Sequence, residues 1–344
     1  MIVNPTAGKG RAVHAGRAVL AGLRRAGHDV VDLSGPDADA ALAAARAAVD
    51  GTGGRPDGPA APAAAAVDVP VDALVVVGGD GMVHLGVQAV AGTGVPLGIV
   101  PVGTGNDVAA TLGLPVRDPA AAGAALCRAL DASAAGRRAV DAALVTGPGL
   151  AGGPRWVAGA VSAGLDAAVN ARANRLRHPQ GRSRYTVAAA AELWRYRPWS
   201  YRLTFDGVVD DGGLRLRPGP AGTASWTGRA ALVTAANGPQ FGGGVRVAPH
   251  ASLEDGLLDV VVATDLSRAT AAAVFPTMYA GGHVRHRKVH VVRARAVTVE
   301  PGPDAWVAGE PPLPVAHADG ERLGPLPLRA EVRARAVQVL VAPR

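Results

Sequence analysis

A chain of 344 residues has room for two domains of ordinary size, each with its own core. Apolar residues make up 49% of it but aromatics only 3%, and the net charge of +7 comes almost wholly from arginine, the only lysines being Lys9 and Lys288. A single cysteine, Cys127, excludes internal disulfides and suits a reducing compartment; no run approaches the roughly 18 apolar residues of a spanning helix, and no basic block interleaved with aromatics offers a nucleic-acid platform.

The N-terminus runs straight into Ile2-Val3-Asn4-Pro5, so a secretory signal is not expected. Ile2-Val3 reads as the end of a first strand, 11–26 as a helix, 28–33 as a second strand and 37–49 as another helix. Residues 51–69 break the pattern with Gly, Pro and Ala, as a flexible low-complexity insertion would. Strands at 73–77 and 96–100, with a helix at 83–91 between them, complete a parallel α/β sheet. After about Ala142 strand candidates dominate, at 156–161, 200–205, 230–235, 257–262 and 289–292, with helices only at 185–196 and 267–279. The expected division is therefore an α/β domain over 1–142 and a mostly β domain over 143–330, with 331–344, including a strand candidate at 336–341, free to return to the first.

Three strand-end turns carry the chemistry. Val75-Val76-Val77 empties into Gly78-Gly79-Asp80-Gly81, where glycines let backbone N–H groups converge on an anion and Asp80 supplies a charge for Mg²⁺. Gly103-Thr104-Gly105-Asn106-Asp107 follows the next apolar strand, and Asn4-Pro5-Thr6-Ala7-Gly8-Lys9-Gly10 follows the first. Neither is a standard nucleotide motif: Gly10 stands where a P-loop needs Ser or Thr, and Val108 where a dinucleotide fingerprint needs its third Gly. All three would gather at the carboxyl edge of one parallel sheet, where open α/β folds bind ligands. Far along the chain, Asp319 and Glu321 lie two apart; on a strand they would share a face, one accepting a hydroxyl proton while the other orients water or metal, and the competing reading is a surface Asp-Gly-Glu turn.

These turns, in order and spacing, together with Gly164-Leu165-Asp166-Ala167, Asn237-Gly238, the stretch from Ala248-Pro249-His250 to Asp259-Val260, and Asp319-Gly320-Glu321, resemble the diacylglycerol kinase catalytic family of lipid kinases over nearly the whole chain. The resemblance implies an N-terminal α/β nucleotide domain and a C-terminal, mostly antiparallel β-sandwich that takes the lipid, with ATP in the cleft between them. It implies that Gly78, Gly79, Asp80, Gly81 and Thr104 face the triphosphate with Asn4, Lys9 and Ser34 nearby, and that Asp80, Asp107 and Asp166 order Mg²⁺ and its waters. Glu321 would be the general base, and Asp255 with the Leu257 carbonyl a second, structural magnesium site.

Met82 and His84 depart from the family's Thr and Asn, and a Met cannot bond phosphate. His283, His286 and His290 lack the carboxylates of a zinc site, and Ser162 lacks a complete nucleophile elbow. Arg172, Arg175, Arg177, His178, Arg182 and Arg184 could meet anionic headgroups, with Trp194, Tyr196 and Trp199 at the interface, or form a solvated face over packed aromatics. The resulting expectation is an ATP- and Mg²⁺-dependent kinase of the primary hydroxyl of diacylglycerol or a similar long-chain lipid, cytoplasmic and transiently at the inner membrane surface. It binds no nucleic acid and is compatible with a homodimer. An NAD-kinase-like enzyme and a non-catalytic nucleotide- or lipid-binding regulator are the competing readings.

Overall fold

The computed structural model describes residues 1–52, 70–103, 105–176, 178, 183–306 and 313–343. Most of the insertion expected at 51–69 lies outside the described residues, as do Thr104, Arg177, Arg182 and the side chains of Lys9 and Arg184. Packing divides the chain into two units, Met1–Val140 with Arg335–Arg344, and Asp141–Ala334.

In the first unit β1 (Ile2–Val3), β2 (Leu74–Gly78) and β3 (Leu97–Pro101) run parallel in that order, and the C-terminal segment adds beside β3, with Val339 opposite Leu97. Every residue of β2 and β3 is buried, as a parallel sheet covered on both faces requires. Among the described residues five α-helices accompany them: α1 (Arg11–Arg25), α2 (Ala38–Asp50), α3 (Asp80–Val90), α4 (Asp107–Thr111) and α5 (Pro119–Asp131). Val75, Val77 and Val100 share a core with Ala15, Val19 and Leu23 of α1 and Ala122, Leu126 and Ala129 of α5. The opposite pleat face, Val76 and Leu97, meets α3 at Gly86, where a Cβ would stand 2.6 Å from a Leu97 methyl. Asp37 and Asp118 cap α2 and α5 by accepting first-turn N–H groups, and Pro119 opens α5.

The strand expected at 28–33 stays extended but forms no ladder. Leu33 N–H donates to the Met1 carbonyl at 2.8 Å, and Val3 N–H donates to Ser34 Oγ at 2.9 Å. Asp29 and Asp32 lie exposed on this segment.

The second unit begins within β4 (Arg137–Thr146) and contains β5 (Arg155–Val157), β6 (Ala160–Gly164), β7 (Trp199–Asp206), β8 (Arg217–Pro218), β9 (Thr223–Ala236), β10 (Leu258–Thr264), β11 (Val289–Ala294), β12 (Ala296–Pro301), β13 (Ala316–Ala318), β14 (Glu321–Gly324) and the start of β15 (Leu328–Leu340). Its helices are α6 (Leu165–Arg175), α7 (Ser183–Arg195) and α8 (Arg268–Val274). The pairing is antiparallel and turns on β9. The first part of β9 pairs with β7, from Thr223 opposite Asp206 to Ala230 opposite Trp199. Its second part lies between β6 and β10, with Ala236 opposite Ala160 on one edge and Asp259 on the other. The sandwich core gathers Tyr201, Leu203, Phe205, Leu258, Val260, Val262 and Val297, all essentially inaccessible.

Two expected elements divide. The strand at 156–161 breaks at Ala158-Gly159 into β5 and β6. The helix at 267–279 ends at Val274 and tightens into a 3₁₀ turn over Phe275–Ala280, because Pro276 cannot supply a backbone donor. Among the described residues no helix is long and apolar enough to cross a membrane.

Candidate active site

In the first unit one carboxylate joins two of the glycine turns. Asp80 Oδ2 accepts the Asn106 N–H at 2.8 Å and Oδ1 accepts the Asp107 N–H at 2.7 Å. Asn106, held in the left-handed region at φ 59°, closes its own turn: its Oδ1 accepts from Gly103 N and its Nδ2 donates to Gly103 O, both at 3.0 Å. The turns touch backbone to backbone, since a Cβ on Gly103 would stand 2.4 Å from Gly79 Cα. The third turn joins them through Gly8, also at positive φ, where a Cβ would stand 2.4 Å from the Val102 carbonyl oxygen. Gly78, Gly79, Asp80, Gly81, Asp107 and the Asn4–Gly10 backbone are thus brought together at the carboxyl ends of β1, β2 and β3.

Helix α3 starts at Asp80 with Gly79 at its N-cap, so the positive end of its dipole lies at this edge. That is the chemistry of an anion cradle. Asn4 and Ser34 serve the backbone here. Asn4 Oδ1 accepts from the N–H and hydroxyl of Thr6, and Ser34 Oγ accepts from Val3 N–H. Met82 does not face the cradle: it is buried, and a Cβ on Gly78 would stand 2.4 Å from its Cγ, so it fills the space beneath the turn. His84 sits one helical step further, its Nε2 3.4 Å from Gln88 Nε2.

In the second unit the structure corrects the geometry expected of Asp319 and Glu321. They do not lie on one strand. Asp319 and Gly320, at φ 49° and 91°, form the two-residue turn of the β13–β14 hairpin, and Glu321 opens β14 with its side chain exposed. The Asp319 carboxylate accepts N–H groups from Ala158, Gly159 and Ala160 at 3.1, 2.9 and 3.2 Å. Held by three N–H groups, this carboxylate positions the hairpin.

Asn237, buried and missed as a working residue by the sequence reading, holds the same bend from the other side. Its Nδ2 donates to the carbonyls of Asp141 and Ala158 at 2.9 Å, and its N–H donates to Gly159 O at 2.8 Å. Asn174 of α6 adds a bond to the Gly320 carbonyl. Asp319→Ala should therefore cost about 3 kcal/mol in a urea unfolding curve, from three orphaned N–H groups and a non-glycine residue left at positive φ. Asp319→Asn, which tolerates that φ, should recover part of it.

Asp166, at the first turn of α6, accepts from the Thr234 hydroxyl and the Ala167 N–H. Burial pushes its carboxyl up to about 7, against the opposing pull of those two donors. Since an unfolded aspartate titrates near ~4, stability linked to Asp166 is whole below that pH and is lost as pH rises to about 7. Asp166→Asn should flatten that slope, gaining on the order of 2 kcal/mol on the native chain at pH 8 relative to pH 4, read as urea midpoints.

The donor set at Asp255 does not fit a divalent cation. Its Oδ2 pairs with Arg293 Nη2 at 2.6 Å, while Arg293 Nε holds Asp259 Oδ1 at 3.1 Å, so the guanidinium already stands between the two carboxylates. Asp255 Oδ1 accepts the Leu257 N–H, and Gly256 N–H is held by Asp141. Nor do the histidines gather. His283 is buried, donating from Nε2 to the Val247 carbonyl, and its pKa is lowered by burial. Ser162 is a core residue within β6, and among the described residues no cluster of three or more His, Cys, Asp or Glu forms. The basic segment also divides: Arg172 pairs with Glu192, and Tyr196 and Trp199 are buried edge to face, leaving Trp194 as the exposed aromatic of the three.

The protein is an α/β unit with a glycine-turn anion edge followed by an antiparallel sandwich, and comparison with known proteins supplies the family. Residues 1–136 match the diacylglycerol kinase catalytic domain, and 159–341 match the YegS C-terminal NAD kinase beta sandwich-like domain. A diacylglycerol kinase from Mycobacterium tuberculosis is 36% identical over 98% of this chain and 93% of its own. A probable lipid kinase YegS-like from Stenotrophomonas maltophilia is 29% identical over 75% of each. The fold is shared with the crystal structure of a diacylglycerol kinase from Bacillus anthracis str. Sterne, at TM-score 0.63 and 20% identity, over 99% of this chain and 96% of that one. The chain belongs to the diacylglycerol kinase catalytic family and is an enzyme of its lipid-kinase class.

Proposed function

We propose that this enzyme transfers the γ-phosphoryl group of ATP to the primary hydroxyl of diacylglycerol or a similar long-chain lipid, working from the cytoplasm at the inner membrane surface. The observation that carries the reading is the Asp80 carboxylate, at the start of α3, bonded to the second glycine turn. Gly79, Asp80, Gly81 and Thr104 would cradle the triphosphate, with Asn4 and Lys9 alongside. Mg²⁺ keeps several waters and asks for one or two carboxylates beside substrate phosphates, which Asp80 and Asp107 can provide. Bound there, it would neutralise charge on the transferring group.

Glu321, exposed and held by the Asp319 turn, is the base of this reading. It takes the proton of the lipid hydroxyl as that oxygen bonds to the γ-phosphorus and the bond to the β–γ bridging oxygen breaks, releasing ADP. No covalent enzyme intermediate is needed. Radiolabelled ATP offered with a panel of lipids, and with NAD as a control acceptor, tests it. A labelled phospholipid is the expected product. Folded protein that labels NAD, or that labels no lipid with any divalent metal, overturns it.

A further inference from the structure

Helix α7 carries an apolar stripe that the second unit leaves uncovered. Val187 is 47% exposed and Trp194, seven residues on, is 83% exposed, with the small residues Ala190 and Ala191 between them. That spacing puts all four on one helical face. The other face of α7 is buried through Ala188 and Ala189, so the helix is anchored with its stripe outward.

At the C-terminal end of the stripe cations collect. Arg195 follows Trp194 directly and Arg197 comes two residues later, lining an open recess of about 430 Å³ with Arg268 and Lys288. Arg268 and Lys288 are held by backbone carbonyls rather than carboxylates: Arg268 Nε donates to Tyr196 O at 2.8 Å and Lys288 Nζ to Asp265 O at 2.7 Å. Among the described residues none of Arg195, Arg197, Arg268 and Lys288 forms an ion pair, and Asp265 is the one carboxylate in the recess lining.

We infer that this face docks on an anionic lipid bilayer, Trp194 and Val187 entering the headgroup boundary while Arg195, Arg197, Arg268 and Lys288 meet lipid phosphates. Each part suits that partner. An indole has an apolar body and a polar edge and settles at the headgroup level, and arginine and lysine stems lie along apolar surface with their charges in the phosphate layer. An apolar stripe with cations at its margin is the form of a helix that lies in the interface. The surface would bring the enzyme to the bilayer that holds its acceptor, and in purpose alone it rests on the lipid-kinase reading. The docking stands or falls separately.

The test is co-sedimentation of the full chain with vesicles of phosphatidylcholine, alone or mixed with phosphatidylglycerol. Binding is expected to the mixed vesicles and to weaken as salt is raised. Each cation at an anionic surface contributes about fivefold, so Arg197→Glu with Arg268→Glu should lower partitioning more than about tenfold, and Trp194→Ala should lower it about as much. A tryptophan so exposed can be removed without loss of fold, and phosphotransfer to a detergent-dispersed short-chain diacylglycerol should stay unchanged in Trp194→Ala. Equal partitioning of wild type and variants overturns the inference. So does a dimer in lipid-free solution that Trp194→Ala dissolves, which would make the stripe a contact between copies. A chain that binds vesicles but phosphorylates nothing would keep this inference and remove the kinase reading; the converse would do the opposite.

Discussion

Asp80→Ala is expected to lower phosphotransfer about a thousandfold, the scale on which losing one preorganised electrostatic group at a transferring centre is felt. It is also expected to weaken the fold. Asp80 accepts two backbone N–H groups from the neighbouring turn, and hydrogen bonds to a charged acceptor contribute about 1.5–3 kcal/mol each, so a loss of about 3 kcal/mol should appear in chemical unfolding. Asp80→Asn separates the effects. Its single carbonyl oxygen can accept only one of the two N–H groups and its amide opposes the other, so stability should lie between wild type and alanine while turnover stays as low as in alanine. Near-normal turnover in folded Asp80→Ala would leave the carboxylate with a purely mechanical task.

Glu321→Gln should behave in the opposite way. A general base contributes about 10²–10⁴-fold, and that loss should fall on kcat with the unfolding midpoint unchanged, because an exposed side chain at a strand start supports little. The contrast with Asp319 is the informative part. Two carboxylates two positions apart should divide their work, Glu321 moving turnover alone and Asp319 moving stability. If Glu321→Gln keeps a near-normal rate, another group is the base.

The first unit was legible because its strands are unbroken apolar runs closed by glycines: Val75 to Val77 and Leu97 to Val100 can be little else. The second was legible only where the same held. The first half of β9, Thr223 to Arg229, is polar and half-buried at the sheet's edge, and β15 alternates its apolar residues with Arg329, Glu331, Arg333 and Arg335, so both strands were read short. At the β13–β14 hairpin the strand reading was preferred to the Asp-Gly-Glu turn that the structure has, although the signal for the turn was present. Asp319-Gly320 is the dipeptide that a two-residue turn with both central φ positive prefers, and that turn rules out a continuous strand through Glu321. The glycine edge was readable from its motifs. The clamp of Asn237 and Asp319 on residues 158–160 was not, since its bonds run across about 80 and 160 positions of sequence.

That clamp makes Gly159 a hostage of the hairpin. A Cβ there would stand 2.7 Å from the Asp319 carboxylate oxygen, so a larger residue displaces that carboxylate from the N–H groups that hold the hairpin presenting Glu321. A random mutational screen scored on activity would thus return Gly159 beside Glu321, although one position carries no functional group and the other carries the charge. The map of intolerant sites in this enzyme should trace the support of its chemistry as faithfully as the chemistry itself, with small residues at a bend counted among the most exacting letters of the sequence.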